Sequence, residues 1–178
     1  MAKFSLWRRI SYASILLLAV GSTSCAILFP DSSAPKSGNY KVSPPQDPWK
    51  TVPVGEISAT LDAQKADMAF EDTRTGAIIS LNSLCHKYTK TSLEELSRNL
   101  VLGIKDKNIV REAKLEVSGA QAMDTTIQGE VEGSRVQIRT VVLKKSACTY
   151  DFIHVTIPEK AALTEKDFDV FVASFEVR

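Results

Sequence analysis

The clearest alternation of apolar and polar positions lies in SRVQIRTVVLKK (134–145). There Val136, Ile138 and Val142 share one side with Thr140, while Arg135, Gln137 and Arg139 begin the other. A period of two is that of a strand with one face turned to a core. ACTYDFIHVTI (147–157) reads as the next strand after a turn near Lys145 and Ser146, and Gly133 predicts a tight connection to the strand before. REAKLEVSG and DTTIQGEVEG alternate over shorter stretches, and DMAFEDT with GAIISLNS forms a hairpin around DTRTG, where Gly76 supplies the turn geometry.

Two segments switch to the helical period. TSLEELSRNLVLGI (91–104) opens with Thr91 and Glu94 as a capping box, and Leu93, Leu96, Leu100, Val101 and Ile104 form one apolar stripe. TEKDFDVFVASF (164–175) starts with Thr164 and Asp167 in a similar arrangement, and Phe168, Phe171, Val172 and Phe175 recur on one face. The plain reading of that aromatic stripe is core. Strands in sequence with helices set between and after them predict an α+β domain, an antiparallel sheet with helices packed on it, over residues 49–178. No internal repeat is visible.

The order of hairpin, helix, long strands and terminal Phe-rich helix resembles the PsbP-like α/β/α sandwich, over roughly residues 50–178. That resemblance implies a non-catalytic accessory or binding protein and carries over no site residues.

Ahead of the domain the pattern changes. MAKFSLWRRI is basic, SYASILLLAV is apolar and GSTSC sets small residues before a cysteine, the plan of a secretory signal over residues 1–24. The small residues before Cys25 resemble the lipobox of bacterial lipoproteins, although Ser22 stands where that family prefers Leu. The resemblance implies a lipid (diacylglyceryl and further acyl chains) on Cys25 as the mature N-terminus. Ala26 following it, rather than Asp, implies the outer membrane, facing the periplasm, if the cell is Gram-negative. Ile10 to Phe29 also carries no formal charge and has about the length of a membrane span. An uncleaved N-terminal membrane helix is therefore the rival. The basic flank precedes the apolar run, so both readings put the domain in the cell envelope, on the extracytoplasmic side.

Six of the seven prolines, Pro30, Pro35, Pro44, Pro45, Pro48 and Pro53, fall just after this region. Residues 25–48 are accordingly expected to be a Pro/Ser-rich tether, too poor in apolar surface to fold.

Charge narrows the partners. The chain has 22 basic and 21 acidic residues. Setting aside Lys3, Arg8 and Arg9 leaves 19 against 21, a net of −2 for the rest. With no basic run, a nucleic-acid partner is not expected. The expected partners are the membrane, through the anchor, and an envelope protein.

With Cys25 as anchor, Cys85 and Cys148 remain as an even pair in an oxidising compartment and predict a disulfide. It would close a loop of about 64 residues, worth roughly 4 kcal/mol in the chain-entropy model. Two unpaired core thiols are the alternative. His86 beside Cys85 and His154 after Cys148 invite a metal or a thiol nucleophile, but six positions along a strand separate Cys148 from His154 by about 20 Å. Adjacent strand residues such as Cys85 and His86 point to opposite faces. Glu94 and Glu95 lie about 100° apart on a helix and do not face one another. Asp67, Glu71 and Asp72 read as a solvated turn, and Arg135 and Arg139 as the exposed side of a sheet. No Gly-rich phosphate loop, HExxH or GxSxG occurs. No cofactor, metal or catalytic residue is expected. The function expected is a membrane-anchored, non-catalytic binding or assembly module. The alternatives are an accessory carrier for a lipid or other apolar ligand, recognisable by a deep apolar cavity, or a hydrolase with polar residues clustered in a cleft.

Overall fold

The computed structural model describes residues 38–53 and 66–178, which fall within one unit, Ser33–Arg178. The signal segment, Cys25 and the apolar run Ile10–Phe29 lie outside the described residues. Among those described, no helix is long and apolar enough to cross a membrane.

A seven-stranded antiparallel sheet is the frame. In chain order its strands are β2 (Trp49–Thr51), β3 (Met68–Asp72), β4 (Ile78–Cys85), β5 (Lys105–Val117), β6 (Ala120–Val131), β7 (Ser134–Lys145) and β8 (Cys148–Thr156). Their spatial order is β2-β3-β4-β8-β7-β6-β5. The first three strands form one meander and the last four another. The crossing from β4 to the far edge carries helix α1 (Leu93–Asn99), and β8 returns to lie beside β4. After β8 a 3₁₀ turn, Pro158–Lys160, leads into helix α2 (Ala161–Ala173) and then β9 (Glu176–Val177), which pairs with β1 (Tyr40–Lys41).

The three long hairpins close through two-residue turns, Ser118–Gly119, Glu132–Gly133 and Ser146–Ala147, and all six residues have positive φ. That conformation matches the strand twist. Glycine takes it freely at Gly119 and Gly133, whereas Ser146 and Ala147 adopt it with side chains in place. Gly129 has a different reason. A Cβ there would lie 2.5 Å from Ile104 Cγ2 and 2.6 Å from Lys105 O, where β5 enters the sheet with irregular register between Lys105 and Asn108.

The helices cover opposite faces, so the domain has three layers. Against α2 lie Ile79, Leu81, Val141, Leu143, Tyr150 and Phe152, packed with Phe168, Phe171 and Phe175. These rings meet edge to face: Tyr150–Phe175 at 4.8 Å, Phe152–Phe175 at 5.1 Å and Phe152–Phe171 at 5.7 Å between centroids. The arrangement suits their quadrupoles and fills the layer. A second cluster, Val101, Ile104, Ile127 and Ile138, lies on the α1 face.

Several sequence expectations shift. The capping residue of α1 is Ser92, whose Oγ accepts from Glu95 N–H at 3.1 Å. TSLEEL offers the same Ser/Thr-x-x-Glu spacing twice, and the chain uses the second. The helix is also shorter than its apolar stripe. After Asn99 the hydrogen bonds change to i→i+3, from Val101 N–H to Arg98 O and from Ile104 N–H to Val101 O. Val101 and Ile104 still reach the core, because that tighter turn aims them at Ile127 and Ile138. Thr164 does not cap α2. The helix begins at Ala161 after Pro158, and Thr164 is buried within it.

The expected tether is partly docked. From Gly38 onward the segment lies on the domain: Tyr40 pairs with Val177, packs 5.8 Å from Tyr150 and 5.4 Å from Phe175, and leads to the buried Trp49. One aromatic side chain entering a ring cluster offsets the poor composition around it.

Candidate functional site

Cys85 ends β4 and Cys148 begins β8, and the two residues are opposite partners in the ladder. Their sulfurs are bonded, across a sequence separation of 63. The bridge thus pins the end of the sheet where three connections meet: the β4–α1 loop and the β5–β6 and β7–β8 turns. His86 follows it with φ 66°, its N–H donating to Ala147 O at 2.8 Å. Lys144 Nζ donates to Thr89 O (2.8 Å) and Thr91 O (2.9 Å), strapping the loop to β7. Lys145 Nζ donates to Ser118 O, which joins the two turns. Between loop and turn is an open cavity of about 260 Å³, lined by Tyr88, Thr89, Lys144, Lys145 and the 146–149 backbone segment.

The two histidines are far from a shared site. His86 is exposed beside the bridge. His154 is 2% exposed, pairs with Ile79 and Arg139 in the sheet, and faces α2. Its Nε2 is 2.9 Å from Thr164 Oγ1, and its ring stacks on Phe168 at 5.4 Å. Burial, then the Arg139 charge, push it down to about 4, so it is neutral near pH 7. With both thiols bonded, neither cysteine is a nucleophile or a metal ligand. Among the described residues no group of three or more His, Cys, Asp or Glu side chains is placed to hold a metal.

The other candidate acids separate. Asp67 accepts from the Tyr40 hydroxyl at 2.9 Å and from Ser83 Oγ. Burial, then the Asp67 charge, raise the Tyr40 phenol well above its ordinary value. Glu71 is exposed. Asp72 is buried at the turn, where it accepts from Arg74 Nη2 at 2.9 Å and from Arg74 N–H at 2.7 Å, bonds that hold its carboxyl below the usual range. Glu94 pairs with Lys114 at 3.0 Å, while Glu95 is exposed.

Arg139 overturns the expectation of a solvated sheet face. Its side chain is 8% exposed and forks onto Asp124, Nε to Oδ1 at 3.0 Å and Nη2 to Oδ2 at 2.9 Å. Its Nη1 reaches Asp169 of α2 at 2.7 Å. The guanidinium also lies 5.2 Å from the Phe168 centroid. Burial opposes the charge, but Asp124 and Asp169 hold it firmly. This is a clasp between sheet and helix. Arg135, by contrast, is exposed and pairs with Glu159.

Asp151 was not singled out by sequence reasoning. It sits between Asn82 and Val142 on the α1 face of β8, and burial pushes its carboxyl up to about 7 against the opposing Asn82 hydrogen bond. Its Oδ1 has no hydrogen-bond partner among the described residues. The sequence did hold a signal: an Asp within CTYDFIHV, a strand whose two faces are both covered.

No protein-family model matches the chain, and no curated protein matches it. Solved structures share its fold at low identity. Cyanobacterial PsbP (CyanoP) from Synechocystis aligns over 83% of this chain and 96% of its own, with TM-score 0.53 and 13% identity. LpqN of Mycobacterium tuberculosis, a protein involved in cell envelope biogenesis, aligns over 80% and 86%, with TM-score 0.54 and 11% identity. PA94 of Pseudomonas aeruginosa, whose function is unknown, aligns over 84% and 89%, with TM-score 0.51 and 13% identity. The fold is PsbP-like.

Proposed function

We propose that the chain is an envelope lipoprotein whose PsbP-like domain binds or assembles with an envelope partner rather than catalysing a reaction. Cys25 is the lipid attachment site, and the residues between it and Gly38 link anchor to domain. The observation that carries the non-carrier, surface-binding reading is the filled layer between sheet and α2. Tyr150, Phe152, Phe168, Phe171 and Phe175 are each essentially buried against one another, which leaves no interior there for an apolar ligand and argues against a carrier. The charged groups on the same face, Arg139, Asp124 and Asp169, satisfy one another, so binding is assigned to the exterior. A disulfide at Cys85–Cys148 suits an oxidising compartment, and the fold shared with an envelope-biogenesis protein supports the same address.

Two measurements test this. Intact-mass analysis of the mature protein is expected to give an acylated chain beginning at Cys25. An unacylated chain beginning at Met1 would remove the lipoprotein claim. Crosslinking in native membranes is expected to trap one defined envelope protein, reproducibly, through exterior residues of the domain. A copurifying lipid held inside the domain would restore the carrier.

A further inference from the structure

The end of the sheet closed by Cys85–Cys148 carries an uneven charge. Lys87 and Lys90 are exposed on the β4–α1 loop, Lys144 and Lys145 are half-buried at the β7–β8 turn, and Lys41 and Arg178 are exposed on the β1–β9 pair. These elements are one surface. His86 N–H bonds Ala147 O, Lys144 bonds Thr89 O and Thr91 O, Lys145 bonds Ser118 O, Ser118 Oγ accepts from Val177 N–H, and Arg178 N–H bonds Asn39 O. Exposed Glu116, Glu176 and Glu95, and half-buried Asp67 beneath Tyr40 and Ser83, stand against the six cations, Glu176 opposite Lys41 in register. Glu94 is already taken by Lys114.

The chain reaches the described domain at this same end. Gly38 N–H donates to Ser83 Oγ at 2.9 Å, two residues before Cys85 in β4. From Cys25 to Gly38 the chain can span at most about 45 Å, even fully extended. A strand of β7's length is about 40 Å long. To bring the opposite end of the sheet to the membrane, the linking residues would have to run almost straight along the whole domain. The end bearing the lysines needs no such extension.

We infer that this basic end is a docking surface for the anionic lipid headgroups of the membrane that holds the anchor. The inference rests on the anchored reading above. Lys87 and Lys90, on the exposed loop, make the first contacts, and the cavity beside Tyr88 receives a headgroup phosphate near Lys144 and Lys145. A lysine close to an anionic leaflet favours contact about fivefold, so several together orient a domain that is already tethered. The partner-binding surface then lies toward the opposite end and the sheet edges, turned away from the bilayer.

The test uses the full chain, purified from membranes and reconstituted into vesicles of phosphatidylcholine alone or with phosphatidylglycerol. Flotation reports the anchor, and hydrogen exchange of residues 86–92 and 144–147 reports the surface. Flotation with both vesicle types is expected, with exchange slowed at least about threefold on the anionic vesicles only. The double substitution K87E/K90E is expected to abolish the slowing and leave flotation intact. Equal exchange on both vesicle types, or slowing confined to another face, overturns the docking surface while the anchor stands. Flotation with neither overturns the anchor, and the surface with it.

Discussion

Asp151 and His154 lie three residues apart on β8 and therefore on opposite faces of the sheet, Asp151 toward α1 and His154 toward α2. Burial favours the neutral form of each, one carboxyl raised to about 7 and one imidazole lowered to about 4. Their effects on stability have opposite signs. Between about 3.8 and 7 the folded state keeps the Asp151 proton that the unfolded chain releases, so stability falls as pH rises. Between about 4 and 6.5 the unfolded chain takes up a His154 proton that the folded state refuses, so stability rises with pH.

The two terms nearly cancel in the native protein, and single substitutions are expected to expose them. Relative to the parent, Asp151→Asn gains stability as pH rises from about 4 to 7, by at most on the order of 4 kcal/mol, and is level above that. His154→Gln gains relative to the parent as pH falls from about 6.5 to 4, by at most on the order of 3 kcal/mol. Denaturant midpoints measured across this range check both. A pH-independent difference for Asp151→Asn would show that its carboxyl is ionised in the fold.

The clasp of Arg139 on Asp124 yields a second expectation. Asp124 is fully buried, so Arg139→Met leaves a carboxylate with only the more distant Arg111, 3.4 Å away and half-exposed, to answer it. The loss expected is about 3–5 kcal/mol, whereas Arg139→Met with Asp124→Leu recovers most of it. Chemical denaturation of the two variants decides. Equal losses would mean that the pair contributes through its geometry with Asp169 rather than by neutralising Asp124.

Reading the sequence placed β7 to the residue and the Phe stripe on the core side of α2, because both signals are local and periodic. Arg139 was misread for the same reason. Alternation separates the two faces of a strand but does not say that each is covered, and here α1 covers one and α2 the other. Its partner was reachable from the turn alone: the Glu132–Gly133 hairpin places Thr126 opposite Arg139 and Asp124 two positions further along the same face. Asp151 belongs to the same lesson, an acid in the strand between two layers. The docking of residues 38–48 was hidden by composition, since prolines and serines outweighed Tyr40 and Trp49, the two side chains that bring the segment down.

Reduction of Cys85–Cys148 is expected to lower stability by up to the roughly 4 kcal/mol of loop entropy that the bridge removes from the unfolded chain. β4 and β8 remain paired from Ile78–Val155 to Cys85–Cys148, so the reduced chain is expected to keep its fold. Cys85→Ala/Cys148→Ala is expected to lose about 2 kcal/mol in denaturation, and its hydrogen exchange to quicken at residues 86–92 before it does in β8. Loss of the whole fold on reduction would mean that the ladder depends on the bridge.

Gly38 tests whether the first described residues belong to the domain. A Cβ at this position would lie 2.5 Å from the Tyr150 ring and hydroxyl, and Tyr150 is fully buried and cannot retreat. Gly38→Val is therefore expected to lift the segment, breaking its bond to Ser83, the β1–β9 pairing and the contacts of Tyr40 with Tyr150 and Phe175. The cost is about 1–2 kcal/mol, a few degrees in Tm, with the far-UV spectrum of the sheet preserved. Limited proteolysis is expected to cut residues 38–48 faster in this variant. Asn39→Ser, at an exposed neighbour, serves as the control and is expected to behave as the parent. If both variants were cut like the parent, Gly38 would not be seated on Tyr150 and residues 38–48 would not belong to the domain.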